Sequence, residues 1–272
     1  MREVLNITKR VPDTRVFIPL LAFFILQSCA HVPVQPPQPP FNNQELSDIL
    51  ADFTDQENAV YNFFSLGRIT LQRRGSELEA NVLIIGARNP DRIKLEITHF
   101  WGRPLFYILI TETTLHILSF PEKRYYLADV REPLPPTFLP VHLDTDQLWA
   151  LGRGFPLLSR HHRAVSDRRN QISLLSGEGD IVQFIDIYPE NRLPFQVFFP
   201  GQGLRLSFSG FKDDNGIQYA KKTQLHDPEH EIMLELTLKQ TAFNKTLDKS
   251  IFELTPPPDF ECNQGNPILD TQ

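Results

Sequence analysis

From residue 78 to residue 238 apolar side chains recur at every second position, in short runs separated by turn residues. No other feature constrains the fold as strongly. Leu78, Ala80, Val82 and Ile84 alternate with Glu79, Asn81 and Leu83, and Ile93, Leu95 and Ile97 alternate with Arg92, Lys94 and Glu96. Leu204, Leu206 and Phe208 stand against Arg205, Ser207 and Ser209, and the run from Ile232 to Leu238 sends Glu235, Thr237 and Lys239 the other way. Successive side chains of a strand point to opposite faces, so these runs predict sheet with one apolar face. Further strands are predicted at 105–110 (apolar on both faces), 115–120, 124–128, 171–175, 181–187, 195–199 and 217–225. Pro121-Glu122-Lys123, Gly177-Glu178-Gly179 and Asn215-Gly216 supply turns, the last a hairpin signal because both residues tolerate positive φ. Connections this short join antiparallel neighbours. The roughly ten or eleven strands predict a mostly β chain, one antiparallel sheet that curls.

Two helices are expected outside this pattern. Leu46, Ile49, Leu50 and Phe53 share one helical face, and Val60, Phe63 and Phe64 extend it, which predicts a helix over 44–65 capped by Asn42 or Asn43 and closed by Gly67. A second runs from Leu143 to Leu151 and ends at Gly152, after a proline-rich stretch at 133–140. Residues 153–169 read as a loop with a basic cluster around His161 and His162. The 21 Phe against six Tyr and two Trp suit either a solid apolar core or an interior that receives lipid, and composition does not choose.

The N-terminus has a different character. Arg2, Lys9, Arg10 and Arg15 precede an apolar run from Val16 to Leu26, shorter than the roughly 20 residues that span a bilayer. Residues 1–28 therefore read as a secretory signal. Leu26-Gln27-Ser28-Cys29 resembles the lipobox of bacterial lipoproteins, which implies an acylated Cys29 as the first mature residue and lipid-attachment site. Prolines at 33, 36, 37, 39 and 40 make residues 29–43 a spacer in extended polyproline II, about 3.1 Å per residue. Ala30 stands where an Asp would signal inner-membrane retention, which tilts the expectation to the periplasmic face of the outer membrane.

Without the signal the chain keeps 23 Lys+Arg and 31 Asp+Glu, a formal charge of −8 that disfavours nucleic acid as a partner. Cys262 would be the one remaining thiol, so no intrachain disulfide can form. His226-Asp227-Pro228-Glu229-His230 gathers possible metal ligands, but a proline interrupts it and a solvated hairpin is expected instead. The glycine pairs at 152/154 and 201/203 lack the strand-loop-helix setting of a phosphate cradle, and no Gly-x-Ser-x-Gly elbow is present. No catalytic residue, metal or cofactor is expected.

Several segments, in order, resemble the LolB-type proteins of the LolA/LolB-like superfamily. They are Phe63-Phe64-Ser65-Leu66-Gly67-Arg68-Ile69, His99-Phe100-Trp101-Gly102 and Gln147-Leu148-Trp149-Ala150-Leu151-Gly152. The C-terminal residues Asn244, Leu247-Asp248, Ser250-Ile251-Phe252 and Pro256-Pro257 are similar to the ending of the wider group. The resemblance, over roughly 60–260, implies a monomeric domain at 44–262 with a short tail at 263–272. Its fold would be an unclosed antiparallel β-barrel with covering helices around a hydrophobic cavity. It further implies a receptor for the acyl chains of lipoproteins, handed over by a LolA-type periplasmic carrier. Val82, Ile84, Leu95 and Ile97 would line the cavity with Leu204, Leu206, Phe208, Ile232, Leu234 and Leu236, the last six on two adjacent strands. Phe100, Trp101 and Gly102 occupy the connection that carries an apolar membrane-insertion residue in the family. A Trp packed under its hairpin is the competing expectation. A carrier for another lipid or glycolipid, or a structural envelope lipoprotein packed solid, remain open alternatives.

Overall fold

The computed structural model describes residues 39–130, 143–168 and 170–264. The signal, Cys29, most of the spacer, the proline-rich stretch at 133–140 and the last eight residues lie outside them.

Helix α1 (Asn43–Asn58) starts in a capping box: Asn42 Oδ1 accepts from the backbone of Gln44 and Glu45, and the Glu45 carboxylate accepts from Asn42 N–H. It buries Leu46, Ile49 and Phe53 and stops earlier than the sequence pattern suggests. The cause is tertiary. Asn244 donates 2.7 Å to the Ala59 carbonyl and accepts 3.0 Å from Tyr61 N–H, which turns the chain out of the helix. Phe63 and Phe64 then fall on opposite faces of a strand, and Gly67 sits within that strand at a shift in its pairing register.

The strands are β1 (Asn62–Arg73), β2 (Ser76–Ala87), β3 (Arg92–Thr98), β4 (Pro104–Ile110), β5 (Thr114–Ser119), β6 (Arg124–Asp129), β7 (Arg163–Arg168), β8 (Gln171–Leu175), β9 (Ile181–Ile187), β10 (Pro194–Phe199), β11 (Leu204–Asp214), β12 (Ile217–Asp227), β13 (Ile232–Phe243) and β14 (Glu261–Gln264). They form one 14-stranded sheet in the order β14-β6-β5-β4-β3-β2-β1-β13-β12-β11-β10-β9-β8-β7. Two meanders, β1–β6 and β7–β13, are joined through the long β1–β13 pair, and β7 and β14 form the two edges. The sheet curls without closing. Asn215 and Gly216, with φ of 55° and 87°, make the expected two-residue hairpin.

Three strands exceed the expected ten or eleven. One is β1, whose first four residues fall within the helix expected over 44–65. Another is the edge strand β7, which replaces part of the loop expected at 153–169. The third is β14, which pairs in parallel with β6 and extends two residues into the expected tail. β7 and β14 lack an apolar alternation of their own, and pairing with a neighbour defines them, whereas in β1 Ile69 and Leu71 alternate with Arg68, Thr70 and Gln72.

Helix α2 (Thr145–Arg153) also opens in a capping box, made by Asp144 and Gln147. It ends at Gly154, whose φ of 76° suits glycine, and not at Gly152. Gly152 lies inside the helix because the helix touches the sheet there: an added Cβ would stand 2.9 Å from Ile84 Cγ2 and 3.0 Å from the Phe63 ring. Trp149 meets Phe63 edge-on with ring centroids 4.9 Å apart, a geometry worth about 0.5–1.5 kcal/mol beyond area burial.

The convex face has its own apolar cover. Residues 247–254 lay Leu247, Ile251, Phe252 and Leu254 over Ile85, Ala87 and Leu109. This accounts for β4 being apolar on both faces: Ile108 and Ile110 face the main core while Leu109 faces the strap.

The close approach at Gly152 gives a prediction. Gly152→Val should destabilise the protein by about 1–3 kcal/mol in urea unfolding. Gly177→Val, where a Cβ meets nothing within 4 Å, should cost far less.

Candidate functional site: the concave face and an aromatic tip

The pairing register carries the inward residues across the sheet in rows. Ser65, Ile84, Leu95, Ile108, Ile117 and Tyr126 lie side by side on β1 to β6, and Leu206, Leu225, Leu234 and Leu71 on β11, β12, β13 and β1. All ten residues expected to line the interior are buried and belong to one apolar cluster. One detail of the expectation is corrected. β11 and β13 are not adjacent, since β12 lies between them and contributes Leu225 and the buried Thr223 to the same face.

Sequence reasoning did not foresee what occupies this face. Leu148, Trp149 and Leu151 of α2, followed by Phe155 and Leu157, join the same cluster. The segment is pinned along its length. The Gln147 side chain donates to Gln202, Ala220 N–H donates to the Gly154 carbonyl at 2.6 Å, and buried Gln183 bonds the backbone at Leu157 and Ser159. A hollow of about 50 Å³ lies beside Ala150, Leu157, Phe199 and Leu206. The one available signal was the run Leu148 to Gly152, which has no polar side chain.

A guanidinium closes the far end of this segment. Arg153 is fully buried, donates 2.5 Å to the Gln56 carbonyl at the C-terminus of α1, and lies 4.8 Å over the Phe155 ring. Burial, with the nearby Arg88 charge, lowers its pKa to about 9, so it stays protonated at neutral pH. Arg88 in turn pairs with Glu57 at 3.2 Å and covers the Trp149 ring at 4.6 Å.

The loop between β3 and β4 behaves differently from the core. Trp101 is 75% exposed and Phe100 57%, with His99 stacked on Trp101 at 5.1 Å. Hydrogen bonds from His99 N–H to Arg103 and from Gly102 N–H to His99, each 2.8 Å, hold the loop tight. Trp101 is therefore a presented side chain and does not pack under its hairpin. The tip lies at the same end of the sheet as the β1–β2, β10–β11 and β12–β13 turns.

Two clefts of about 490 Å³ each lie at the rims. One separates the β1–β2 and β12–β13 turns. The other lies between α1, Phe155 and the β9–β10 turn, at the end opposite the tip. His230 Nδ1 holds Asp227 at 2.8 Å, and among the described residues no group of three or more His, Cys, Asp or Glu is arranged to hold a metal. Cys262 is exposed and free. Among the described residues no helix is long and apolar enough to cross a membrane.

No protein-family model matches the chain, and no curated protein matches it. Solved structures do. A DUF1329 family protein from Desulfovibrio piger superposes with a TM-score of 0.53 at 10% identity, over 76% of this chain and 96% of that one. A Vibrio parahaemolyticus domain described as an outer-membrane lipoprotein-sorting protein does so with 0.53 at 11% identity, over 75% and 94%. A LolA superfamily protein from Nitrosomonas europaea is a weaker likeness, 0.48 at 11% identity over 76% and 97%. At these identities the likeness establishes the fold: the chain has the curled, unclosed sheet of these proteins.

The two tryptophans should separate in stability. Trp101→Ala should change unfolding free energy by no more than about 0.5 kcal/mol, as surface substitutions do. Trp149→Ala should cost about 3–5 kcal/mol because it opens the core. Chemical denaturation of both variants checks this.

Proposed function

We propose that this protein is a lipid-anchored receptor at the periplasmic face of the outer membrane that accepts the acyl chains of lipoproteins and helps insert them into the bilayer. One observation carries the reading: an exposed aromatic pair on a tightly bonded loop, at the end of a sheet whose concave face is largely apolar. The lipobox-like Cys29 supplies the anchor, and the sorting domain from Vibrio parahaemolyticus shares the fold.

The physics of such a receptor needs no catalytic group. An acyl chain in water costs about 0.8 kcal/mol per methylene, so transfer must run from one apolar environment to another. Among the described residues α2 lies on the concave face, and the hollow of about 50 Å³ beside Ala150 is far below the about 300–1,000 Å³ of small-molecule sites. In this reading cargo enters by displacing the α2 segment, exchanging contacts with Leu148, Trp149 and Leu151 for contacts with the chain. Trp suits the delivery end, since its ring settles at the membrane interface with its N–H in water.

The same tight interior favours a second reading, an envelope lipoprotein with a packed core and no cargo. The test distinguishes them. Under the receptor reading Trp101→Glu still takes up a lipopeptide but loses transfer to liposomes by roughly tenfold or more, because a charge inside the bilayer costs up to about 2.5–3.5 kcal/mol. Uptake by neither protein supports the packed reading, and unimpaired transfer by the variant removes the insertion role. In its bacterial host Cys29→Ser should leave the membrane fraction, and an exported variant that stays there contradicts the anchor.

A further inference from the structure

The strand at one edge of the sheet carries a charge opposite to that of the chain. Residues 160–168 set Arg160, Arg163 and Arg168 against Asp167, a formal +2 in a chain of −6, with His161 and His162 among them. All three arginines are exposed, and among the described residues none of them forms an ion pair. The receptor reading uses none of them.

The backbone of this segment is fixed from one side. Ser159 N–H donates to Gln183 Oε1, and His162 N–H donates to the Leu175 carbonyl of β8, each at 2.8 Å. β7 then pairs with β8 and is the last strand of the sheet, so among the described residues no strand lies on its other flank. The start of α1 meets β7 at Ser166, whose Oγ accepts from Phe41 N–H. The four residues from His162 to Val165 come before that contact and before the register shift that follows Val165. Ala164 packs on the main core, so Arg163 and Val165 point to the convex side.

We propose that this edge receives an extended acidic segment of another protein, which adds to the sheet as a further strand beside His162 to Val165. The free flank of an edge strand offers main-chain bonds to any extended chain, and side chains decide which chain it takes. On the convex side the visitor's side chains stand beside Arg163, with Arg160 close ahead of it, and are Glu or Asp. On the concave side they stand beside Ala164 and are apolar. The same charge says what the partner is not. A second copy brings its own arginines to an edge-to-edge pairing, and like charges on facing strands repel. A charged edge thus resists its own kind while staying open to a chain of opposite sign. The site is separate from the aromatic tip and stands whether or not lipoproteins are the cargo.

The test is fluorescence anisotropy of a labelled eight-residue peptide alternating Glu and Val, titrated with the mature chain. Three relatives are run beside it: one with Lys for Glu, one N-methylated at every Glu and one N-methylated at every Val. Successive residues of an added strand turn their N–H groups to opposite flanks, so only one methylated set faces β7. That peptide should lose at least about tenfold in affinity while the other keeps it, and the Lys peptide should not bind. Arg160→Glu with Arg163→Glu, both exposed, should abolish binding of the Glu peptide and create binding of the Lys peptide. No binding of the Glu peptide, equal binding of both methylated forms, or indifference to the arginine pair overturns the proposal. Phosphatidylglycerol vesicles that bind the chain but not the Arg160/Arg163 variant, with the methylated peptides equal, assign the cluster to a lipid surface instead. Sedimentation that shows self-association and no peptide binding gives the edge to a second copy, and overturns it too.

Discussion

The contact between α2 and the concave face of the sheet holds the two meanders of this protein together. β1 to β6 and β7 to β13 share one strand pair, β1 with β13, and an open sheet of 14 strands would otherwise expose much of its inner surface. Trp149 meets Phe63 on β1, Gly152 lets the helix backbone approach Ile84 on β2, Gly154 bonds Ala220 on β12, and Gln147 reaches the β10–β11 turn. The helix thus touches both halves. Burial at about 25 cal/mol per Å² makes the contact favourable, and the polar bonds at its ends set where the helix sits.

The same contact divides the protein into parts with different duties. The convex strap at 247–254 and the parallel strand β14 reinforce the β1–β6 half from outside, so this half does not depend on α2 alone. The β3–β4 loop, closed by its own backbone bonds, presents Phe100 and Trp101 without drawing on the core. The Arg153 end adds a charge buried between α1 and α2. Phe41, in the expected spacer, docks on the sheet: its N–H bonds Ser166 on β7.

Much of this was legible in the residues. Period-two alternation located most of the strands, and the inward set from Val82 to Leu236 followed from it, since a single register shift would expose every one of them. Three kinds of feature escaped. The end of α1 depends on Asn244, which lies far along the chain, and no local pattern at 59–64 reports it. Strands β7 and β14 owe their conformation to neighbours, and charged residues on an edge strand look like a loop. Arg153, between two glycines, reads in sequence as the start of the loop expected at 153–169, and its burial is not legible there. Trp101 could be narrowed only to tip or core until its 75% exposure placed it.

The central claim is that an acyl chain occupies the concave face in place of α2, and the two tryptophans allow it to be measured. With Trp101→Phe, Trp149 is the sole indole, lodged against Phe63 at the centre of that face. Titration with a fatty acid, followed by indole emission, reports the exchange directly. Displacement of α2 predicts a saturable red shift of Trp149 emission as the ring leaves Phe63 for water. Binding that leaves Trp149 emission unchanged would contradict it.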